Sequence, residues 1–162
     1  MLPLIFNLKN KKLAFIGAGK VAERRILKII SLKGFSNKET KITVISKGFT
    51  EKIKELSSRE YLELIKHEID NENLDKTIKL IKNYDIVFIS TDDKRLNDLI
   101  EQKAKKLKLL VNRADKVSDV ILPAYFETEK ALISVSTRGK SPAYAKRIKN
   151  ILEKEIKRTG KD

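Results

Sequence analysis

The sequence predicts an α/β protein: a parallel sheet with helices on both faces, followed by a β-hairpin and a last helix. Three observations carry this. Short apolar runs alternate with segments of helical apolar spacing from residue 12 to residue 111. A glycine-rich turn, Gly17-Ala-Gly19, joins the first apolar run to the first helical segment. After residue 118 two strand-like runs follow one another with only a polar link between them.

Each element has its own warrant. Residues 12–16, KLAFI, are a buried strand ending at Gly17. Residues 20–33 place Ala22, Ile26, Ile29 and Ile30 at helical spacing, with Gly34 as a stop. Residues 41–46, KITVIS, are β-branched and read as the second strand. A short helix is expected over 49–57, and a weakly alternating strand over 60–66. Leu74, Ile78 and Ile81 share one face of a helix over 72–82. Residues 85–90, DIVFIS, give a buried strand, residues 94–106 a helix, and residues 108–111, KLLV, a fifth strand. Residues 119–126 and 131–136 form the hairpin, and Pro123 marks an edge strand or bulge. Ser141-Pro142 is an N-cap followed by a first helical residue, opening a helix to about residue 158.

Composition excludes several chemistries. The 162 residues hold no Cys and one His, so thiol catalysis, disulfides and multi-histidine metal sites are ruled out. No apolar run reaches the ~20 residues that cross a bilayer, and the start lacks signal-peptide order, which predicts a cytoplasmic protein. The net charge is +14, carried by the ends: +10 over residues 1–54, −2 over 55–137 and +6 over 138–162. Ends that meet would suit a polyanionic partner; a Lys-rich solvated surface explains the same excess.

Gly17-Ala-Gly19-Lys20-Val21-Ala22 fits G-x-G-x-x-A between a strand and a helix, the context of a Rossmann-like dinucleotide site. Gly17 permits the tight turn, Gly19 lets a pyrophosphate approach the backbone, and Ala22 lets the helix lie close to the sheet. The carboxylate expected at the end of the second strand is missing; the sequence there reads Ser46-Lys47-Gly48. Ser46 can bind a ribose hydroxyl, and Lys47 tolerates a 2′-phosphate, so these residues alone allow NADP as well as NAD. Thr91 follows the fourth strand on the ligand side, with Asp92 or Asp93 as a helix cap. Asn112 and Asp115 follow the fifth strand, where a carboxylate can take a proton, orient a substrate N–H or simply form a turn. Thr137, Arg138, Lys140 and Ser141 gather hydroxyls, cations and a helix N-terminus into an anion site. His67 reads as solvent-facing.

These segments carry a resemblance. LPLIFNLKNKKLAFIGAGKVAERR, STDD at 90–93, VNRAD at 111–115 and ILPAYF…ALISVSTRGKSPAYAKRI resemble the siroheme synthase N-terminal family, from Leu2 to about Ile151. Members are precorrin-2 dehydrogenases, some also sirohydrochlorin ferrochelatases. The resemblance implies NAD-dependent oxidation of precorrin-2, a substrate with eight carboxylates, in siroheme synthesis. It implies a catalytic Asp at Asp115, a hydroxyl near substrate at Thr137, and cofactor contacts at Lys20, Val21, Lys47 and Gly48. It also implies an NAD-binding domain over 1–115 and a region for dimerisation and substrate over 116–162, with a homodimer joined through the hairpin and helix. A hairpin carrying Val120, Leu122, Leu132 and Ile133 needs apolar cover beyond one small domain, which points the same way. Longer relatives carry a further helical region beyond the position of Asp162, which leaves chelatase activity open. Many relatives have Gly where this chain has Arg138. No metal site is expected. Two other readings fit parts of the sequence: an NAD-sensing regulatory module, and a nucleic-acid-binding protein, though the few aromatics show no stacking pattern.

Overall fold

The computed structural model describes residues 3–159; Leu2, where the resemblance begins, and residues 160–162 lie outside them. The residues fall into two compact units, Leu4–Val120 and the part from Ile121 onward.

The first unit is built on five parallel strands: β1 Lys12–Ile16, β2 Lys41–Ser46, β3 Glu63–Lys66, β4 Ile86–Ile89 and β5 Leu110–Arg113. Their order is β3-β2-β1-β4-β5, so the chain steps outward from β1 in one direction and then crosses back to pair β4 with β1. That reversal opens a crevice at the carboxyl ends of β1 and β4, where ligands bind such sheets. The helices are α1 Lys20–Ile30, α2 Glu51–Ser58, α3 Leu74–Ile81 and α4 Lys94–Lys106. Strand alternation assigns the two layers. Ala14, Ile16, Ile45, Val87, Ile89 and Val111 pack with Leu74, Ile81, Leu96, Ile100 and Ala104 from α3 and α4. Leu13, Phe15, Ile42, Val44 and Phe88 point to the opposite face, where α1 and α2 bury Ala22, Ile26, Ile29, Ile53 and Leu56. The Phe15 and Phe88 rings stack there, 4.4 Å between centroids.

The second unit is an antiparallel hairpin, β6 Ala124–Glu127 with β7 Leu132–Val135, and the helix α5 Pro142–Thr159. Ser141 caps α5 as expected, its Oγ accepting from Tyr144 N at 3.3 Å.

Several boundaries differ from the sequence reading. The first helix ends at Ile30, with Ser31 as C-cap, and the chain turns through Gly34 at φ +77°. β5 begins and ends two residues later than expected, because Ala114 N still bonds Ile89 O at 3.0 Å and keeps the ladder running. Residues 119–123 are not strand; β6 starts directly after Pro123, which has no N–H for a ladder. Val120 N donates to Val111 O at 3.1 Å, so residues up to 120 stay with the sheet.

Gly17 is the tightest point of the fold. Its φ is +92°, and a Cβ there would lie 2.8 Å from Ser90 O, a backbone atom that cannot swing aside. Gly17→Ala therefore carries both left-handed strain and a clash at the β1–β4 switch point. We expect a loss of roughly 2–3 kcal/mol, read as a lowered midpoint in denaturant unfolding. Gly19→Ala, whose Cβ meets nothing within 4 Å, should unfold close to the parent.

Candidate functional site

The first unit gathers its candidate residues along one edge, because every loop that follows a parallel strand emerges on the same side. Gly19 is the N-cap of α1 and offers no side chain to the amides of the first turn. The first helical bond is Glu23 N to Gly19 O, 3.0 Å, leaving the amides before it free of helical partners. Open space over Gly19 and these uncapped donors fit a pyrophosphate. Val21 stands partly exposed beside them, an apolar side chain at a polar turn. Lys20 extends into solvent and reaches Glu23 at 3.3 Å.

At the end of β2, Ser46 is half-buried and its carbonyl accepts from His67 N at 3.0 Å. Gly48 has open space where a side chain would be. Lys47 pairs with Glu68 across 3.4 Å. Thr91, after β4, is less free than its position suggests. Its Oγ1 donates to Asn97 Oδ1 at 2.6 Å, and Asn97 Nδ2 returns a bond to Thr91 O at 2.9 Å. Asp93, not Asp92, caps α4, accepting from Arg95 N and Leu96 N.

Asn112 requires a correction. The sequence placed it in a loop facing ligand; it lies inside β5, 3% exposed, with Nδ2 donating to Val120 O at 2.7 Å. The shifted strand buries it on the α1 face, away from solvent. His67 is also corrected: it is half-buried, and its Nε2 meets Thr77 Oγ1 at 2.9 Å, pinning the end of β3 to α3.

Sequence reasoning missed the group that dominates this edge. Arg113 ends β5 with its side chain 1% exposed and surrounded by carboxylates. Nε and Nη2 grip Asp115 Oδ1 and Oδ2 at 2.8 and 2.7 Å; Nη1 meets Asp98 at 2.8 Å and Glu101 at 2.9 Å. Lys116 adds bonds to Asp98 and Glu101, and Lys105 to Glu101. Arg25 of α1 closes the set from the other face, donating Nη2 to Arg113 O at 2.9 Å. The detectable signal was the i, i+3 pair Asp98 and Glu101 on α4 opposite an arginine in a strand.

This network keeps its carboxylates ionised. The hydrogen bonds from Arg113 hold Asp115 below its ordinary value, against a smaller opposing effect of burial. Burial alone would raise Glu101, but Lys105 and Lys116 bring it below the usual range. Bonds from Lys116 and Arg113 lower Asp98.

In the second unit, Thr137 Oγ1 accepts from Ser141 N at 2.9 Å and Lys140 N bonds Thr137 O at 3.1 Å. The hydroxyl protons of Thr137 and Ser141 remain available to an anion. Arg138 is exposed at φ +56° and precedes Gly139 at φ +81°. Glycine adopts this left-handed backbone freely, so an arginine here carries strain.

Because the folded carboxylates ionise more readily than in the unfolded chain, the unfolded state binds more protons as pH falls. The network's stabilisation is therefore complete above about pH 5 and lost through the acid range below about pH 4. Arg113→Met removes the partner of both Asp115 oxygens and one of the three cations on Glu101, and should cost about 2–3 kcal/mol at pH 7. Urea unfolding at pH 7 and pH 3.5 checks both, the gap between parent and variant narrowing at the lower pH.

Residues 4–124 match a family model described as "Putative NAD(P)-binding", and residues 133–155 one described as "Sirohaem biosynthesis protein central". A "Putative precorrin-2 dehydrogenase" of Methanocaldococcus jannaschii is 35% identical over 98% of this chain and 75% of its own length. The precorrin-2 dehydrogenase of Priestia megaterium is 29% identical, covering 94% of this chain and 69% of that protein. The siroheme synthase of Psychrobacter arcticus is 32% identical over 93% of this chain, which spans only 26% of that longer protein. The solved structure of SirC, precorrin-2 dehydrogenase, superposes with a TM-score of 0.70 at 26% identity, over 96% of this chain and 71% of that one. The chain belongs to the precorrin-2 dehydrogenase and siroheme synthase family.

Proposed function

We propose that this chain is an NAD-dependent precorrin-2 dehydrogenase, oxidising precorrin-2 to sirohydrochlorin in siroheme synthesis. One observation carries the reading: an uncapped glycine turn and an arginine-clamped carboxylate share the carboxyl edge of one sheet. A nucleotide-sensing module needs the first feature and not the second. Among the described residues no helix is long and apolar enough to cross a membrane. We place the chain in the cytoplasm, with its relatives' soluble biosynthetic chemistry.

NAD supplies the hydride acceptor when bound. Gly17, Gly19, Lys20 and Val21 take the pyrophosphate turn, Ser46, Lys47 and Gly48 the adenine ribose, and Thr91 its backbone side of the crevice. Asp115 orients the macrocycle. Both its oxygens are held by Arg113, and the carboxylate stays charged, so it is a poor proton acceptor and a good acceptor of pyrrole N–H bonds. The proton released in the oxidation passes to solvent. Thr137, Arg138, Lys140 and Ser141 receive substrate carboxylates, combining hydroxyl donors, exposed cations and the start of α5.

The chain works as a homodimer. Of the eighteen residues of α5 only Ala145 is buried, while Tyr144, Ile151 and Leu152 stand exposed, as does Leu132 on the hairpin. A helix this long gains little from its own unit and needs further apolar cover. Sedimentation at micromolar concentration should give twice the 18.6 kDa chain mass; a lone chain would sink this part of the reading.

Asp115→Asn tests the mechanism. It keeps the shape of the side chain and removes its charge. Turnover of precorrin-2, followed as NADH and sirohydrochlorin absorbance, should fall on the order of 10²-fold, with NAD affinity by calorimetry unchanged. In the parent, kcat/KM should show no break between about pH 5 and 8 from this group. Near-normal turnover of the variant removes Asp115 from the chemistry.

A further inference from the structure

We propose that Glu68 sets the coenzyme preference, by cancelling the charge of Lys47 at the end of β2. The proposal rests on the reading of this edge as the NAD site.

The end of β2 is where a dinucleotide site meets the ribose 2′ position. A carboxylate in that place excludes a 2′-phosphate, and a cation welcomes one. This chain has Lys47 there and no acidic residue from Ser46 to Thr50. Taken by itself, β2 would favour NADP. The structure supplies the missing carboxylate from the neighbouring strand. β3 runs parallel to β2, with Ser46 opposite Lys66, and His67 N bonds Ser46 O at 3.0 Å. That pairing carries the next residue, Glu68, to the same rim, where Oε1 lies 3.4 Å from Lys47 Nζ.

Both side chains are solvated, 78% and 61% exposed, so the pair adds little to folding stability. Its effect is on charge. A 2′-phosphate arriving beside Lys47 also meets Glu68, and it must displace that carboxylate to use the lysine. A ribose diol carries no such charge, and Glu68 can accept its hydroxyl protons. His67, adjacent in sequence, is turned toward Thr77 and does not add a cation to the rim. Lys66, the last residue of β3, is exposed. The carboxylate that most dinucleotide folds place at the end of β2 is here delivered one strand over.

The test is calorimetric binding of NAD and of NADP to the full chain and to Glu68→Gln, at two ionic strengths. The parent should prefer NAD. Glu68→Gln should raise NADP affinity relative to NAD by about 3- to 10-fold at low salt, less at high salt. Adding Lys47→Ala to Glu68→Gln should remove that gain, because the freed lysine is what receives the phosphate. Glu68 is exposed, so folding is not at risk in either variant. A ratio unchanged within twofold, or equal gains for both coenzymes, overturns the proposal while leaving the NAD site intact. No binding of either coenzyme by the parent overturns the nucleotide reading and this inference with it.

Discussion

A buried guanidinium organises the working edge of this protein. Arg113 sits at the last position of β5, where the strand hands over to the loop that carries Asp115. Arginine is the side chain suited to this place: its fork meets a carboxylate through two parallel bonds and it stays charged when buried. Removing it from water is costly, and it is tolerated only because Asp98, Glu101 and Asp115 surround it. The loop 114–119 is thereby fixed to α4 through charge, and the end of β5 to α1 through Arg25. A carboxylate presented to a substrate from a loop would ordinarily move; this one is clamped at both oxygens.

The same edge depends on a second constraint of a different kind. β1 and β4 are neighbours whose following loops leave the sheet side by side, and Gly17 passes within a Cβ's width of Ser90. Packing, not polarity, requires glycine there. At Gly19 nothing crowds the position, so the fold does not require the missing side chain there. Two glycines two residues apart thus stand under different constraints.

Much of this was legible in the sequence. The strands announced themselves through runs such as KITVIS and DIVFIS, and the helices through apolar spacing, because strand and helix periods differ and each buries one kind of face. The glycine turn was readable because its neighbours on both sides were. What escaped had long-range causes. Nothing local in LVNRAD tells that Ala114 would still pair with Ile89, and so that Asn112 would be buried rather than presented. Arg113 looked like one basic residue among 36, since two of its three carboxylate partners, Asp98 and Glu101, lie on α4, which only the fold brings near. The second carboxylate at the β2–β3 rim was invisible for the same reason: strand pairing, not spacing, sets Glu68 beside Lys47.

The positive charge that dominates the composition turns out to be unevenly committed. On the carboxyl edge of the sheet several cations are paired: Lys20 with Glu23, Lys47 with Glu68, Lys116 and Arg113 with the carboxylates around them. The uncapped amides and the dipole at the start of α1 suit a pyrophosphate without any free lysine. In the second unit Arg138, Lys140, Lys146, Arg147 and Lys154 have no ion-pair partner among the described residues, and the last three share one shallow face of α5. Point charges on long, solvated side chains suit a ligand bearing many carboxylates on flexible arms, because each arm can find a cation without a preformed geometry. A diphosphate held by fixed amides and a polycarboxylate held by mobile cations are different recognition problems. Fixed amides at a sheet edge suit the first, and exposed, unpaired cations suit the second.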